Sequence, residues 1–236
     1  MSESVVQTPS GRVLLDPAIE TPGPEAVFDQ SHWERHGDMM PAQRGRGTAY
    51  FVHSSAGQWV WRHFRRGGLF GRLVRDSYLF TGEDRVRSFA EWRLLKRLWD
   101  QGLPVPRPIA ARYQRFACLY RADLMTECLT GAEPLSGMVL DGRVDEGLWH
   151  RVGRCLKSFH DAGVYHADLN AHNILVRDDS VFLIDFDRGR IRPPGSWARG
   201  NLDRLLRSLR KIAGDRPEID AGWKQLSSAY EGLAAA

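Results

Sequence analysis

One loop and the hairpin that follows it constrain the fold of this chain more than any other feature. Asp168 and Asn173 lie five residues apart in a polar stretch, and a second aspartate, Asp185, follows twelve residues later. Residues 173–176 and 181–184 are short apolar runs on either side of a polar turn, so they predict two strands. The sequence therefore predicts a strand–turn–strand unit with an aspartate before it and another directly after it.

Strand patterns fill the first half of the chain and helical patterns the second. Strands are predicted near residues 48–51, 58–64, 109–113 and 117–126, and helices at residues 87–101, 145–162, 201–213 and 217–233. Strands first and helices later predict an α+β fold in two lobes, with a small antiparallel sheet in the N-terminal lobe and helices in the C-terminal lobe.

The boundary between the lobes is predicted in residues 127–134. We expect an N-terminal lobe of residues 1–127, with a Gly-rich loop, a sheet and one helix, and a C-terminal catalytic lobe of residues 128–236. Residues 1–22 are mostly polar, which predicts a flexible or edge element. Pro24 suits the first turn of a helix, so a short helix is predicted from there through Trp33.

The polar residues around the predicted hairpin match what phosphoryl transfer requires. That chemistry needs a base facing the acceptor hydroxyl and ligands that hold magnesium against the phosphates. Asp168 is the predicted base, and Asn173 and Asp185 are the predicted Mg²⁺ ligands, because hard cations prefer oxygen. Asn170 is a weaker catalytic candidate that would contact phosphate or acceptor. Each aspartate alone is equally typical of a capped turn, so the prediction depends on both spacings together.

Groups that bind the ATP phosphates are predicted in the first lobe. Gly45-Arg46-Gly47 precedes the first strand of a hairpin, where its backbone N–H groups would cover the phosphates. A kinase lobe also needs a cation on a strand, paired with a glutamate on a helix. Lys96 is the one lysine in the first 156 residues and falls in a predicted helix. Arg62, on a predicted strand, is therefore expected to pair with Glu91.

The segment between the lobes is the predicted adenine site. Glu127-Cys128-Leu129 follows the last strand of the first half. Its position alone suggests that backbone groups at Glu127 and Leu129 bind the adenine ring. ATP and Mg²⁺ are the cofactors that this set of residues predicts.

Arginine makes up 29 of the 33 basic residues. In residues 62–75 and 188–211 it is interleaved with apolar residues, which is typical of contact with an anionic membrane surface or a phosphorylated lipid. A net charge of +4 identifies no partner by itself, and we infer neither a nucleic-acid partner nor an obligate protein partner. Three widely spaced cysteines and the lack of a secretory signal predict a reducing cytoplasm.

Several motifs together resemble a known family. His166-Ala167-Asp168-Leu169-Asn170-Ala171-His172-Asn173 with Asp185-Phe186-Asp187 resembles the protein-kinase-like superfamily. More narrowly, the chain is similar to the bacterial 3-deoxy-D-manno-octulosonic acid (Kdo) kinase family, over about residues 28–211. That narrower resemblance is carried by Gly45-Arg46-Gly47-Thr48, Arg62-His63-Phe64-Arg65-Arg66-Gly67-Gly68, Val105-Pro106-Arg107-Pro108 and Asn201-Leu202-Asp203-Arg204-Leu205.

The resemblance implies ATP-dependent phosphorylation of the 4-hydroxyl of a Kdo sugar on lipid IVA or lipid A. It also implies a peripheral protein on the cytoplasmic face of the inner membrane of a Gram-negative bacterium. Asp168 carries over as the base, and Asn173 and Asp185 carry over as metal ligands. Asp-Phe-Asp stands where eukaryotic protein kinases have Asp-Phe-Gly, and no Ala-Pro-Glu follows. A peptide-docking lobe is therefore not expected, and the helical lobe should be reduced.

Two other readings stay open. The acceptor could instead be a heptose of the inner core or a soluble small molecule such as an aminoglycoside. Alternatively, the chain could be a pseudokinase that binds anionic lipid or a partner protein, because the usual strand lysine is replaced by Arg62. The presence of Asp168, Asn173 and Asp185 together weighs against the pseudokinase.

Overall fold

The computed structural model describes residues 3–35, 39–41, 49–65, 76–214 and 216–232. The chain forms two compact units, one of Met1–Arg97 with Arg107–Thr130 and the other of Leu98–Pro106 with Gly131–Ala236. The predicted boundary between residues 127 and 128 is therefore corrected in two respects. It lies three residues later, and Leu98–Pro106 belongs with the second unit. Within that unit the Leu183 N–H donates to the Pro104 carbonyl oxygen at 3.0 Å.

An antiparallel sheet forms most of the first unit. Its strands are β1 (Ser4–Thr8), β2 (Gly11–Leu15), β3 (Met39–Pro41), β4 (Ala49–Ser54), β5 (Gly57–His63), β6 (Tyr78–Leu79), β7 (Pro108–Phe116) and β8 (Leu119–Glu127). Their order across the sheet is β1-β2-β7-β8-β5-β4-β3, and β6 pairs with β8. The predicted hairpin is present as β4 and β5, with Ser54 opposite Gly57.

The described residues of this part of the chain form two α-helices, α1 (Gln30–Arg35) and α2 (Arg87–Asp100), and the last three residues of α2 group with the second unit. Helix α2 confirms the prediction for residues 87–101. It is fixed to β7, because the Ser88 hydroxyl donates to the Arg112 carbonyl oxygen at 2.9 Å. The Phe89 ring also packs edge-on against Tyr113, with 5.1 Å between ring centroids.

The beginning of the chain differs from its prediction. Residues 4–15 form the β1–β2 hairpin at an edge of the sheet, so the edge element is confirmed. The helix predicted from Pro24 is wrong in its start, since α1 begins at Gln30. The cause is local: the Asp29 carboxylate accepts a hydrogen bond from the Ser31 N–H at 3.0 Å, which caps the helix at that point.

Aromatic residues fill the core between α1 and the sheet. Trp33 from the helix packs edge-on against Trp59 of β5, with 6.0 Å between ring centroids. Phe28 makes a similar contact with Trp61, at 5.7 Å. These four rings are almost fully buried. Because such large apolar surfaces dominate core energetics, the cluster anchors β5, the strand that carries Arg62.

Helices form most of the second unit. They are α3 (Leu135–Leu140), α4 (Glu146–Asp161), α5 (Trp197–Ala213) and α6 (Pro217–Glu231), with short strands β9 (Glu133–Pro134), β10 (Val164–Tyr165), β11 (Ile174–Arg177), β12 (Ser180–Leu183) and β13 (Arg190–Ile191). Three of these helices and the β11–β12 hairpin confirm the predictions, although α5 begins four residues earlier than expected. Of the described helices, none has the length and apolar composition that a membrane crossing requires.

Helices α4 and α6 approach closely where a glycine faces the partner helix. A Cβ atom built on Gly153 would lie 2.3 Å from the Leu226 carbonyl oxygen. One built on Gly222 would lie 2.2 Å from the Trp149 indole nitrogen. The two glycines therefore set the distance between these helices.

The N-terminus of α4 is capped by Asp145, whose carboxylate accepts a hydrogen bond from the Leu148 N–H at 2.7 Å.

Candidate active site

The β11–β12 hairpin brings the three predicted catalytic and metal-binding residues to one end. Its register pairs Ile174 with Leu183. One step further, the Ile184 N–H donates to the Asn173 carbonyl oxygen at 3.0 Å, and Asp185 follows directly. The Asn173 side-chain amide donates to the Asp168 carbonyl oxygen at 2.9 Å. Asp168, Asn173 and Asp185 are therefore neighbours, as the spacing predicts.

The arrangement suits a hard cation. Asn173 is buried, and its amide nitrogen is already bonded to the loop, so its side-chain oxygen is the atom left for a metal. Asp185 supplies a carboxylate and sits at φ 63°, a region that non-glycine residues rarely adopt. Such strain is found at functional sites, where the surrounding structure enforces it. One amide oxygen and one carboxylate fit Mg²⁺ coordination, in which waters and phosphates supply the other ligands.

The His166 side chain supports the loop that carries Asp168 by bonding two backbone groups. Its Nε2 lies 2.9 Å from the Ile184 carbonyl oxygen, and its Nδ1 lies 3.2 Å from the Asp168 N–H. A carbonyl oxygen only accepts and an N–H only donates, so the ring carries one proton, on Nε2. Burial lowers the pKa of His166 below its usual value, which agrees with this neutral form. The ring also packs 4.8 Å from that of Phe186.

Helix α5 holds the same loop through side chains for which the sequence predicted no contact with it. They are Asn201, Arg204 and Ser208, which share one helical face. Asn201 is buried, and its side chain bonds both the N–H and the carbonyl oxygen of His166, at 3.2 and 2.8 Å. The Ser208 hydroxyl accepts from the Ala171 N–H at 3.2 Å. Their helical spacing was visible in the sequence, but nothing local showed which loop this face would meet.

Arg204 contacts the predicted base directly. Its Nε donates to Asp168 Oδ1 at 3.0 Å, and its Nη2 donates to the same oxygen. Both side chains are about half exposed, at 47% for Arg204 and 53% for Asp168. The pair therefore lies open to solvent rather than inside the core.

Asn170 uses its side chain within the loop. Its Oδ1 accepts from the His172 N–H at 2.9 Å, and its Nδ2 donates to the Asp168 carbonyl oxygen at 2.9 Å. The first of these bonds caps the short 3₁₀ turn Ala171–Asn173. Contact of Asn170 with phosphate or acceptor stays a prediction.

The predicted ion pair of the first unit is present. Arg62 Nη2 lies 2.6 Å from both carboxylate oxygens of Glu91. The glutamate on α2 is 1% exposed, and the arginine on β5 is 28% exposed. The guanidinium also lies over the Phe64 ring, 4.7 Å from its centroid. The pairing is therefore the one the sequence predicts, and its contact with ATP phosphates stays a prediction.

The structure gives fewer contacts for the other residues that are predicted to bind ATP. Glu127 ends β8, and its N–H donates to the Arg107 carbonyl oxygen at 2.8 Å. The next N–H, of Cys128, donates to the Gln58 carbonyl oxygen at 2.8 Å. An adenine contact at Glu127 or Leu129 stays a prediction. Gly45, Arg46 and Gly47 lie outside the described residues, between β3 and β4 in the sequence.

Comparison with known sequences adds an independent finding. Residues 30–230 match the model of the lipopolysaccharide kinase (Kdo/WaaP) family. The chain is 43% identical over 201 residues to the 3-deoxy-D-manno-octulosonic acid kinase of Vibrio cholerae serotype O1, covering 85% of this chain and 86% of that protein. It is 46% identical over 226 residues to the kinase of the same name from Xylella fastidiosa strain M12, covering 94% and 90%.

Two solved structures share the fold. One is amicoumacin kinase hAmiN in complex with AMP-PNP, Ca²⁺ and Ami, with a TM-score of 0.63 and 10% identity over 90% of this chain and 80% of that one. The other is WaaP in complex with acyl carrier protein, with a TM-score of 0.57 and 18% identity over 91% and 88%. At such identities the likeness shows the fold alone, and the predicted protein-kinase-like α+β fold is confirmed.

Proposed function

The chain belongs to the lipopolysaccharide kinase (Kdo/WaaP) family, and from that premise we propose that it phosphorylates the 4-hydroxyl of a Kdo sugar carried on lipid IVA or lipid A. The chain is a phosphotransferase of lipopolysaccharide biosynthesis that uses ATP and takes Kdo as its acceptor sugar. The choice of hydroxyl and of lipid carrier is the part that we propose.

The observation that carries the proposal is the meeting of Asp168, Asn173 and Asp185 at one end of the β11–β12 hairpin. Asp168 would accept the proton as the acceptor O–H bond breaks. The sugar oxygen forms a bond to the γ-phosphorus of ATP while the bond to the bridging oxygen breaks, so ADP leaves. Asn173 and Asp185 would hold Mg²⁺, which neutralises phosphate charge when it is bound.

Arg62 and Glu91 have the supporting role in this proposal. A guanidinium whose position is fixed by a buried carboxylate is suited to bind phosphate oxygens. The charge-assisted bonds to both Glu91 oxygens fix Arg62 at the end of β5. Because Arg62 keeps the positive charge, its presence in place of lysine supports an active kinase rather than a pseudokinase.

We also propose that the protein binds the cytoplasmic face of the inner membrane as a peripheral protein. The support is the pair of basic stretches, residues 62–75 and 188–211. In the second stretch, Arg199 is 74% exposed. Co-sedimentation with anionic vesicles that is lost in high salt is the expected result, and equal binding to neutral vesicles would contradict it.

Transfer of label from ATP to Kdo-bearing lipid IVA tests the acceptor. The intact protein should label the lipid at the 4-hydroxyl, and Asp168→Ala should lower kcat by at least about 100-fold. Arg154→Gln is the control, because Arg154 is an exposed arginine on α4 and is not part of the loop. Labelling of a heptose or a soluble acceptor instead of Kdo would overturn the proposed function.

A further inference from the structure

Arg204 is the one charged side chain for which the described residues show direct hydrogen bonds to the predicted base. Two of its nitrogens bond a single carboxylate oxygen, Oδ1 of Asp168. The second oxygen of the carboxylate is left to receive a proton from a hydroxyl. An acceptor that reaches this oxygen would therefore also lie beside a guanidinium.

The Asp168–Arg204 pair is exposed enough to exchange partners. With both side chains about half exposed, the pair has the character of a surface ion pair, and such pairs contribute little net stability. A guanidinium binds any planar carboxylate or phosphate through parallel N–H bonds. An incoming anion could thus share or replace Asp168 as the partner of Arg204 at small cost.

The acceptor chemistry supplies such an anion. As a ketosidic acid, Kdo carries a carboxylate on the same sugar as the hydroxyl to be phosphorylated. When the base engages that hydroxyl, the carboxylate is held within the span of one sugar ring. The nearest acid on the helix, Asp203, is bonded to Arg199 at 3.2 Å, so it faces another cation.

We propose that Arg204 is the specificity residue for an anionic acceptor: it binds a carboxylate or phosphate of the sugar lipid beside Asp168. This inference rests on the proposed function and adds to it the group of the acceptor that the enzyme recognises. The guanidinium holds the base in place before the acceptor arrives, and then bonds the acceptor anion. A neutral sugar would lack that contact, so selection for an acidic sugar would follow from one side chain.

The test compares acceptors that differ in one anion. Kinetics are measured with Kdo-bearing lipid IVA, with its Kdo carboxamide analogue, and with the dephosphorylated lipid, for the intact protein, Arg204→Gln, Arg204→Lys and the control Arg154→Gln. Losing the recognised anion should raise KM about 10- to 100-fold for the intact protein and for the control. Arg204→Gln should show nearly equal KM values for acceptors with and without it, and Arg204→Lys should lie between.

The two anion sources give different results. A KM change confined to the carboxamide assigns the sugar carboxylate, and one confined to the dephosphorylated lipid assigns a lipid phosphate. If Arg204→Gln lowers kcat but still discriminates the acceptors as the intact protein does, Arg204 only positions Asp168, and the inference is overturned. If the intact protein transfers no phosphate to the Kdo lipid, the proposed function fails, and this inference fails with it.

Discussion

The two partners of the Arg62–Glu91 pair are buried to different degrees, and this predicts unequal costs of removing them. Glu91 is almost fully buried, whereas Arg62 reaches solvent. Arg62→Met removes the cation from a buried carboxylate, which should lower the free energy of unfolding by about 3 kcal/mol. Glu91→Gln leaves a cation that water can still reach, so the loss should be about 1 kcal/mol. Urea unfolding followed by circular dichroism measures both.

The double substitution serves as the control for that comparison. If the pair is coupled, Arg62→Met with Glu91→Gln should cost less than the sum of the single changes. Equal costs for the two single variants would contradict the argument from burial. ATP affinity, measured on the same variants, should fall most for Arg62→Met, because only that change removes the charge.

At the scale of residues, the sequence predicted what depends on local spacing. Asp168, Asn173 and Asp185 are close because a short hairpin joins them, so their separations along the chain were sufficient. Arg204 is 36 residues from Asp168, and their contact depends on how α5 packs on the loop. Spacing along one helix shows which side chains share a face, but it does not show what that face meets.

At the scale of elements, the contact between α4 and α6 predicts a large cost for one added methyl group. Gly153→Ala would place a Cβ 2.3 Å from a backbone oxygen, so the helices must move apart. The expected loss in the free energy of unfolding is about 1–3 kcal/mol. Thermal unfolding of the purified protein measures it.

Gly200→Ala is the matched control for this change. Gly200 also lies within a helix, and a Cβ built there meets nothing within 4 Å. Alanine has the higher helix propensity, so this variant should be neutral or more stable by up to about 1 kcal/mol. Equal losses for both variants would show that close helix packing is not the cause.

Elements with a clear apolar period were predicted well, and those fixed by a single cap or contact were not. Helix α4 has a continuous apolar face and was found within a residue at each end. Helix α1 starts where Asp29 caps it, five residues after the proline that suggested its start. Helix α3 was not predicted, because its six residues are too few to show a period.

For the whole molecule, two partly buried histidines predict opposite responses of the stability to pH. The hydrogen bond to Asp123 raises the pKa of His63 in the first unit, against the opposing effect of burial. Its stabilising contribution is thus complete below about pH 6.5 and is lost as pH rises through the raised pKa. In the second unit, burial lowers the pKa of His160 to about 4. The unfolded chain then takes up the proton first, so stability is lost as pH falls from about 6.5 towards 4.

Urea unfolding at several pH values tests both directions. His160→Gln should remove part of the loss in acid, by at most about 3 kcal/mol at pH 4. His63→Gln should cost more at pH 6 than at pH 9. A pH-independent difference between either variant and the intact protein would contradict the assigned pKa shift.

The chain order alone could not show how the two units share the sequence. Pro104, Pro106 and Pro108 lie between the predicted helix at residues 87–101 and the predicted strand at residues 109–113, yet Leu98–Pro106 groups with the second unit. One contact within that unit is the backbone hydrogen bond from the Leu183 N–H to the Pro104 carbonyl oxygen, two residues that are 79 positions apart in the chain. The two units are therefore not two consecutive stretches of the chain.

The first hairpin has a consequence for how the chain avoids association with copies of itself. Strand β2 pairs along β7 from Gly11 opposite Gln114 to Leu15 opposite Ala110. Without that pairing, β7 would be an open edge with several apolar residues, the kind of strand onto which another molecule's strand adds. Residues 4–15 cover it with a short hairpin whose outer strand has five residues, against the nine of β7. Pairing with residues 4–15 therefore keeps β7 from pairing with a strand of another molecule. This role is separate from the chemistry of Asp168, Asn173 and Asp185.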